Sequence, residues 1–276
     1  MKAILQPMQD LQDIKKLQDY AANNKPLAGH AARRGDLEPV TIFQTSTMSA
    51  LLDGVYEGSM TMKELARHGD FGLGTFDELD GELIAFDGEF YHLRHDGSVN
   101  SVHAEEMTPF ASVTYFQPET TFAIDRPLNR MELETLIDSF LPSENLFYAL
   151  RMDGQFEQVV TRTVTKQKRP YPTLVEATKS QPVFTLNQVE GTMAGFRMPE
   201  FAQGLSVAGY HLHFVDDNRT GGGHVLDFTL LSGTIQIGKP AELHLHFPET
   251  SGFMNADLTG RDVAGEIELA EGGTSR

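Results

Sequence analysis

Asp-Gly pairs at Asp80-Gly81, Asp87-Gly88, Asp96-Gly97 and Asp153-Gly154 constrain this chain most, because each is flanked by short apolar runs such as 83–86, 90–93 and 155–160. A tight two-residue hairpin turn needs positive φ at both positions, which glycine adopts freely and aspartate tolerates. The pairs therefore predict antiparallel hairpins, with a meander over residues 75–116. Two capping boxes interrupt the strands. Thr61 to Glu64 opens a helix that runs to His68, where Gly69 stops it. Asn129 to Glu132 opens another, whose apolar stripe Leu133, Leu136, Ile137, Phe140 and Leu141 predicts that it covers a sheet before Pro142 ends it.

Beyond residue 155 the sequence reads mainly as strands, at 159–165, 182–186, 188–196, 207–214, 224–231, 234–237 and 242–247, with a short helical segment at 174–179. This pattern predicts an α+β (mixed α/β) fold of two sheet-based subdomains. One is an N-terminal mixed β-sheet with covering helices, at 37–170. The other, at 171–276, is a C-terminal, mainly antiparallel β-sheet, and the change from one sheet to the next is expected near 165–180. Ahead of both lies an extension, 1–36, in which Met8, Leu11, Ile14 and Leu17 recur at helical spacing before a basic and polar tether at 23–36.

The chain has 276 residues, enough for a full hydrophobic core. Its 22 Lys and Arg against 39 Asp and Glu give a net charge of −17, which repels nucleic acid and anionic membranes at long range. It contains no Cys, which excludes disulfides, Cys-ligated zinc, iron–sulfur clusters and thiol nucleophiles. No apolar run approaches the length of a membrane span, and polar residues break up 1–17, so a soluble cytoplasmic protein without a signal peptide is expected.

Histidine carries the strongest chemical signal. In Tyr210-His-Leu-His-Phe214 strand alternation puts His211 and His213 on one face. The Gly-rich stretch up to Gly223 is long enough to reverse the chain and set His224 beside them. Three neutral nitrogens with an open position suit catalytic zinc or another divalent ion. A hydrogen-bonded pair of ordinary histidines is the bland alternative. His244 and His246 share the local pattern but have no third partner nearby in sequence, and are read as structural. Gly69, Gly72 and Gly74 match no phosphate-loop order and are read as backbone requirements of a tight approach to the meander. Arg162, Lys166, Lys168 and Arg169 form the one dense basic stretch, either a solvated strand end or a seat for an anionic substrate.

Several long stretches in order resemble the α-acetolactate decarboxylase family over residues 41–271. They include 44–56, the run 69–82 with Leu79-Asp-Gly-Glu82, Asn145-Leu-Phe-Tyr148, Thr161-Arg-Thr163 and Arg169-Pro-Tyr-Pro172, then 209–214 and 222–227. Arg169 stands where the family usually has Lys, and 1–36 has no counterpart. The resemblance implies His211, His213 and His224 as zinc ligands, with Glu82 and Glu271 as further metal-site and catalytic carboxylates. Glu268 is the near neighbour with which Glu271 is most easily confused. It also implies Arg162 and Thr75 as catalytic residues, a homodimer across which the N-terminal sheet extends, and no organic cofactor. The implied reaction, part of acetoin biosynthesis, is the metal-dependent decarboxylation of 2-acetolactate to (R)-acetoin and carbon dioxide. A glutamate is the proton donor, with the choice between Glu82 and Glu271 left open. Two other readings compete: a cupin-like metal oxygenase, in which a Glu would be expected where Asp217 stands, and a non-catalytic metal- or small-ligand-binding module.

Overall fold

The computed structural model describes Tyr20 and residues 27–28, 39–258 and 262–271. The helix expected before Tyr20 lies outside the described residues, as does the tether apart from 27–28. In chain order the strands begin with β1 (Leu27–Ala28), β2 (Thr41–Thr45), β3 (Met60–Thr61), β4 (Phe71–Thr75), β5 (Glu82–Phe86), β6 (Glu89–Leu93), β7 (Val99–Ser101), β8 (Met107–Thr108) and β9 (Ala111–Thr114). They continue with β10 (Pro118–Ile124), β11 (Leu128–Asn129), β12 (Tyr148–Arg162), β13 (Val183–Met198), β14 (Gly209–Asp216), β15 (Gly222–Gly238) and β16 (Glu242–His246). The helices are α1 (Met48–Leu52), α2 (Met62–Leu65), α3 (Arg130–Phe140), α4 (Leu174–Thr178), α5 (Ser251–Asn255) and α6 (Val263–Glu271).

The strands form two large sheets, as expected for a mixed α and β fold. The first has the order β16-β2-β9-β4-β5-β6-β7 and is mixed, because β16 runs parallel to β2 while the other pairs are antiparallel. The second has the order β1-β10-β15-β12-β13-β14, with β11 also on β15, and is antiparallel throughout. Sheet membership does not follow the expected change at 165–180. The chain leaves the first sheet after Thr114, so β10, β11 and β12 belong to the second, and β16 returns to the first. Alternation along a strand reports which face is buried but not which sheet receives it.

The hairpin signals succeed where a turn is present. Asp87 (φ 55°) and Gly88 (φ 78°) make the two-residue turn between β5 and β6. Asp153-Gly154 is a correction: it lies inside β12, with Gly154 opposite Gly191 on one side and Gly233 on the other. A Cβ on Gly154 would stand 2.3 Å from the Ser232 carbonyl oxygen, so this glycine serves close strand approach and not a turn. Gly72 and Gly74 act similarly, since added Cβ atoms would lie 2.1 Å and 2.5 Å from the carbonyl oxygens of Ser112 and Phe110.

Both capping boxes form. At α3 the Asn129 side chain accepts from the Glu132 N–H at 2.9 Å, and the Glu132 carboxylate accepts from the Asn129 N–H at 3.0 Å. Leu133, Leu136 and Ile137 then bury against Phe156, Phe228 and Leu230 of the second sheet. Each such side chain contributes about 1.5–3 kcal/mol. On the other face of that sheet, Phe196 and Val215 meet Leu73, Ile84 and Phe86 of the first sheet. The two sheets thus pack face to face, and the candidate site lies at one end of their interface.

Candidate active site

Tyr210, Leu212 and Phe214 of β14 turn toward the core under α3, where the Tyr210 hydroxyl donates to Asp138 at 2.8 Å. Alternation therefore aims His211 and His213 the other way, toward the first sheet. β14 and β15 form a hairpin with His213 opposite His224, and β12 lies on the far side of β15 with Arg162 opposite His224. The start of β15 pairs with both neighbours, which closes the sheet on itself at this end. Three strands thereby bring Arg162, His224 and His213 to one level. The imidazole rings stand 5.0–5.5 Å apart, and one nitrogen from each lies within 4.8 Å of the others.

The first sheet supplies Thr75 and Glu82, which face each other across β4 and β5. Ile84 and Phe86 of β5 point into the inter-sheet core, so Glu82 points the same way. Its Oε2 lies 3.7 Å from His213 Nε2, and its Oε1 accepts from the Val164 N–H at 3.3 Å. The Thr75 hydroxyl donates to the Gly81 carbonyl at 2.6 Å, which leaves its lone pairs for the pocket. The last described turn of α6 brings Glu271. Its carboxylate is 3.2 Å from Arg162, 3.4 Å from His224 Nδ1 and 3.8 Å from His211 Nε2. Glu268 is exposed to solvent on the same helix.

Hydrogen bonds fix the tautomers of two of the imidazoles. A carbonyl oxygen only accepts, so His213 Nδ1 carries the hydrogen it donates to Leu83 at 2.7 Å, and His224 Nε2 donates to the Glu271 backbone oxygen at 3.0 Å. His213 Nε2 is left as a buried lone pair with no hydrogen-bond partner. Burial, reinforced by Arg162, holds His211 down to about 3 and His224 well below the usual histidine range. Burial beside His211 does the same to His213, at about 3. The three rings are neutral near pH 7. One nitrogen of each neutral ring thus converges on a point beside the Glu271 carboxylate, a donor set that suits a divalent cation. Burial and the charge of Glu271 push Glu82 up to about 8, so it is a carboxylic acid near neutrality.

The basic stretch splits. Arg162 is buried in the site, whereas Lys166 pairs with Glu78 at 2.8 Å and Arg169 pairs with Glu57. Neither of those two cations is held for a substrate. His244 and His246 lie on β16 around Phe43, away from the site, and Asp217 is exposed in the β14–β15 connection. The apolar wall escaped the sequence reading. Met48, Leu51, Leu79, Phe110, Val164 and Leu174 line the pocket with the polar residues. They come from five separate segments, and no local pattern marks them.

The family model of α-acetolactate decarboxylase matches residues 42–260, a span that includes Thr75, Glu82, Arg162 and the three histidines and stops before Glu271. The chain belongs to the α-acetolactate decarboxylase family. It is 50% identical over 236 residues to the α-acetolactate decarboxylase of Bacillus subtilis strain 168, covering 85% of this chain and 92% of that protein. To the α-acetolactate decarboxylase of Raoultella terrigena it is 50% identical over 230 residues, covering 83% and 89%. The crystal structure of the B. subtilis protein superposes with a TM-score of 0.83 at 49% identity, covering 84% of this chain and all of that one. As a member of the α-acetolactate decarboxylase family, the chain is a carboxy-lyase.

Proposed function

We propose that the chain decarboxylates 2-acetolactate to (R)-acetoin with a divalent metal ion, zinc being the first candidate, held by His211, His213 and His224. Glu271 is the carboxylate within reach as a further oxygen donor, and Glu82 is reserved as the acid. The observation that carries this reading is the lone pair of His213 Nε2, buried and without a hydrogen-bond partner, within 4.8 Å of a nitrogen of each of two other neutral imidazoles. When bound, such an ion supplies a Lewis acid that draws charge from the ketone and hydroxyl oxygens of the substrate.

This chain's residues account for the remaining steps. Arg162 Nε is buried and makes no hydrogen bond, which leaves a donor edge for the substrate carboxylate. Losing carbon dioxide breaks the bond between the carboxylate carbon and the carbinol carbon and leaves the electron pair on the latter. Glu82, protonated near neutrality, delivers its proton from Oε2 to that carbon and is reprotonated from solvent. One proton is consumed and one carbon dioxide released per turnover. Thr75, its hydrogen engaged by Gly81, accepts from the substrate hydroxyl. The apolar wall takes the methyl groups and excludes water.

The reading extends to a cytoplasmic homodimer acting in acetoin biosynthesis on a small-molecule substrate, without a nucleic-acid or membrane partner. In support, the net charge is −17, and no described helix is long and apolar enough to cross a membrane. Racemic 2-acetolactate supplied with and without oxygen tests the reaction. Equal yields of acetoin and carbon dioxide are expected; an oxygen requirement, or no acetoin, contradicts the reading.

A further inference from the structure

The Asp80-Gly81 turn carries the site residues of the first sheet, and it is held from outside the pocket. Thr75 and Glu82 flank the connection 76–81, in which Glu78 and Leu79 both have φ 59° and Gly81 has φ 88°. Two successive non-glycine residues in the left-handed region persist only where their surroundings over-determine them. Several neighbours do so: Asp77 accepts from the Gly58 N–H at 2.6 Å, Lys166 reaches Glu78 at 2.8 Å, and Arg94 donates to the Asp80 carboxylate at 3.1 Å.

Backbone bonds from the Glu78 N–H to Tyr56 at 2.8 Å and from the Gln167 N–H to Glu78 at 2.7 Å add to these, and the grip on the Asp80 carbonyl comes from His92. This residue is buried on β6 opposite Leu83, and its ring stacks on Phe76 with centroids 3.6 Å apart. Its Nε2 donates to the Asp80 carbonyl, and its Nδ1 stands 3.0 Å from Glu106 Oε2. Glu106 is itself anchored, because its Oε1 accepts from the His103 N–H at 2.9 Å. Gly81 makes room for the ring, since a Cβ there would lie 3.1 Å from His92 Nε2. The next carbonyl along, that of Gly81, receives the Thr75 hydroxyl, and the next residue is Glu82.

We propose that His92 is a positioning residue: through the Asp80 carbonyl it fixes the Asp80-Gly81 turn, and thereby the placement of Thr75 and Glu82 in the pocket. The effect on turnover rests on the decarboxylase reading above, whereas the effect on the turn does not. A proton donor displaced by about 1 Å loses much of its effect on rate, so a change outside the pocket should act on kcat before KM.

Four proteins test this: the natural chain, His92→Phe, His92→Gln and His92→Asn. Phenylalanine keeps a ring on Phe76 without a donor. Glutamine places an amide near the position of Nε2, and asparagine places one near Nδ1. Amide exchange of peptides spanning 76–83, and kcat and KM for 2-acetolactate, are the readouts. In His92→Phe, exchange at 76–83 should accelerate by about tenfold without a matching change elsewhere, and kcat should fall by about tenfold with KM within about twofold. His92→Gln should recover both quantities and His92→Asn neither. Unchanged exchange at 76–83 in His92→Phe overturns the proposal, as does exchange that rises evenly along the chain or equal recovery by Asn and Gln. If the natural chain forms no acetoin while Phe opens the turn and Gln closes it, the functional reading fails and the assignment of His92 to the turn stands.

Discussion

Arg162 and Glu271, 109 positions apart, meet at 3.2 Å, so the cation that we propose for the substrate carboxylate is already paired with a carboxylate that lines the pocket. One edge of the guanidinium is taken by Glu271, and Nε remains unpartnered. Under the proposed reading, an anionic substrate uses the planar fork of arginine, which can serve two carboxylates at once. Lysine presents a point charge instead. Arg162→Lys should raise KM for 2-acetolactate by about tenfold or more while the protein stays folded, because the charge is retained and the bidentate geometry is lost. Steady-state kinetics beside thermal melting check this; an unchanged KM would remove Arg162 from substrate binding.

The two histidine pairs should part company on substitution. His213→Ala removes the imidazole whose Nδ1 is tied to Leu83 and whose Nε2 faces the centre of the cluster, so metal content should fall from about one ion per chain to a small fraction of that. His246→Ala loses a contact to Thr45 at 3.3 Å on the edge of the first sheet and should leave metal content and turnover unaltered. Elemental analysis of both purified variants decides the matter.

The metal-free protein should be most stable near pH 6–7, with a steeper loss on the acid side. Folded His211 and His213 take up protons only at about 3, and His224 well below 6.5, whereas the unfolded chain takes them up at about 6.5. Their stabilisation is present above pH 6.5 and is lost as pH falls toward 3, at up to about 1.4 kcal/mol per pH unit for each group. Glu82 has the opposite sign. Its folded value of about 8 lies above 4.5, so its contribution is full below pH 4.5 and is lost as pH rises through 8. Denaturant titrations at several pH values after chelation measure both limbs, and a flat acid limb would show that the histidines are charged when folded.

Gly195→Ala should destabilise the fold by about 3 kcal/mol or more. A Cβ there would stand 2.1 Å from the carbonyl oxygen of His211, and that oxygen belongs to the backbone and has no rotamer to escape into. If the variant folds at all, β14 must shift, and metal retention should fall with stability. Denaturant melts and metal content of the same preparation check the coupling.

Much of this site is legible in the sequence because it is built from strands. Alternation alone selects His211 and His213, and the length of the polar connection to His224 sets a hairpin that the structure contains. The capping boxes at Thr61 and Asn129 are local chemistry and form as read. What the sequence hides is long-range. Asp153-Gly154 has the composition of a turn, yet it serves a row of glycines across three strands, which only the pairing of β12 with β13 and β15 makes visible. Glu271 and Glu268 are three residues apart on one helix, and the docking of α6 decides which of them faces Arg162. His92 carries no motif, because its role depends on a carbonyl twelve residues away.

Metal content measured together with acetoin release from racemic 2-acetolactate, before and after chelation and after adding back a divalent ion, tests the central claim most directly. The account predicts about one ion per chain, loss of acetoin and carbon dioxide release on chelation, and recovery on readdition. Full turnover in protein stripped of metal, or a firmly bound ion with no acetoin formed, would contradict it.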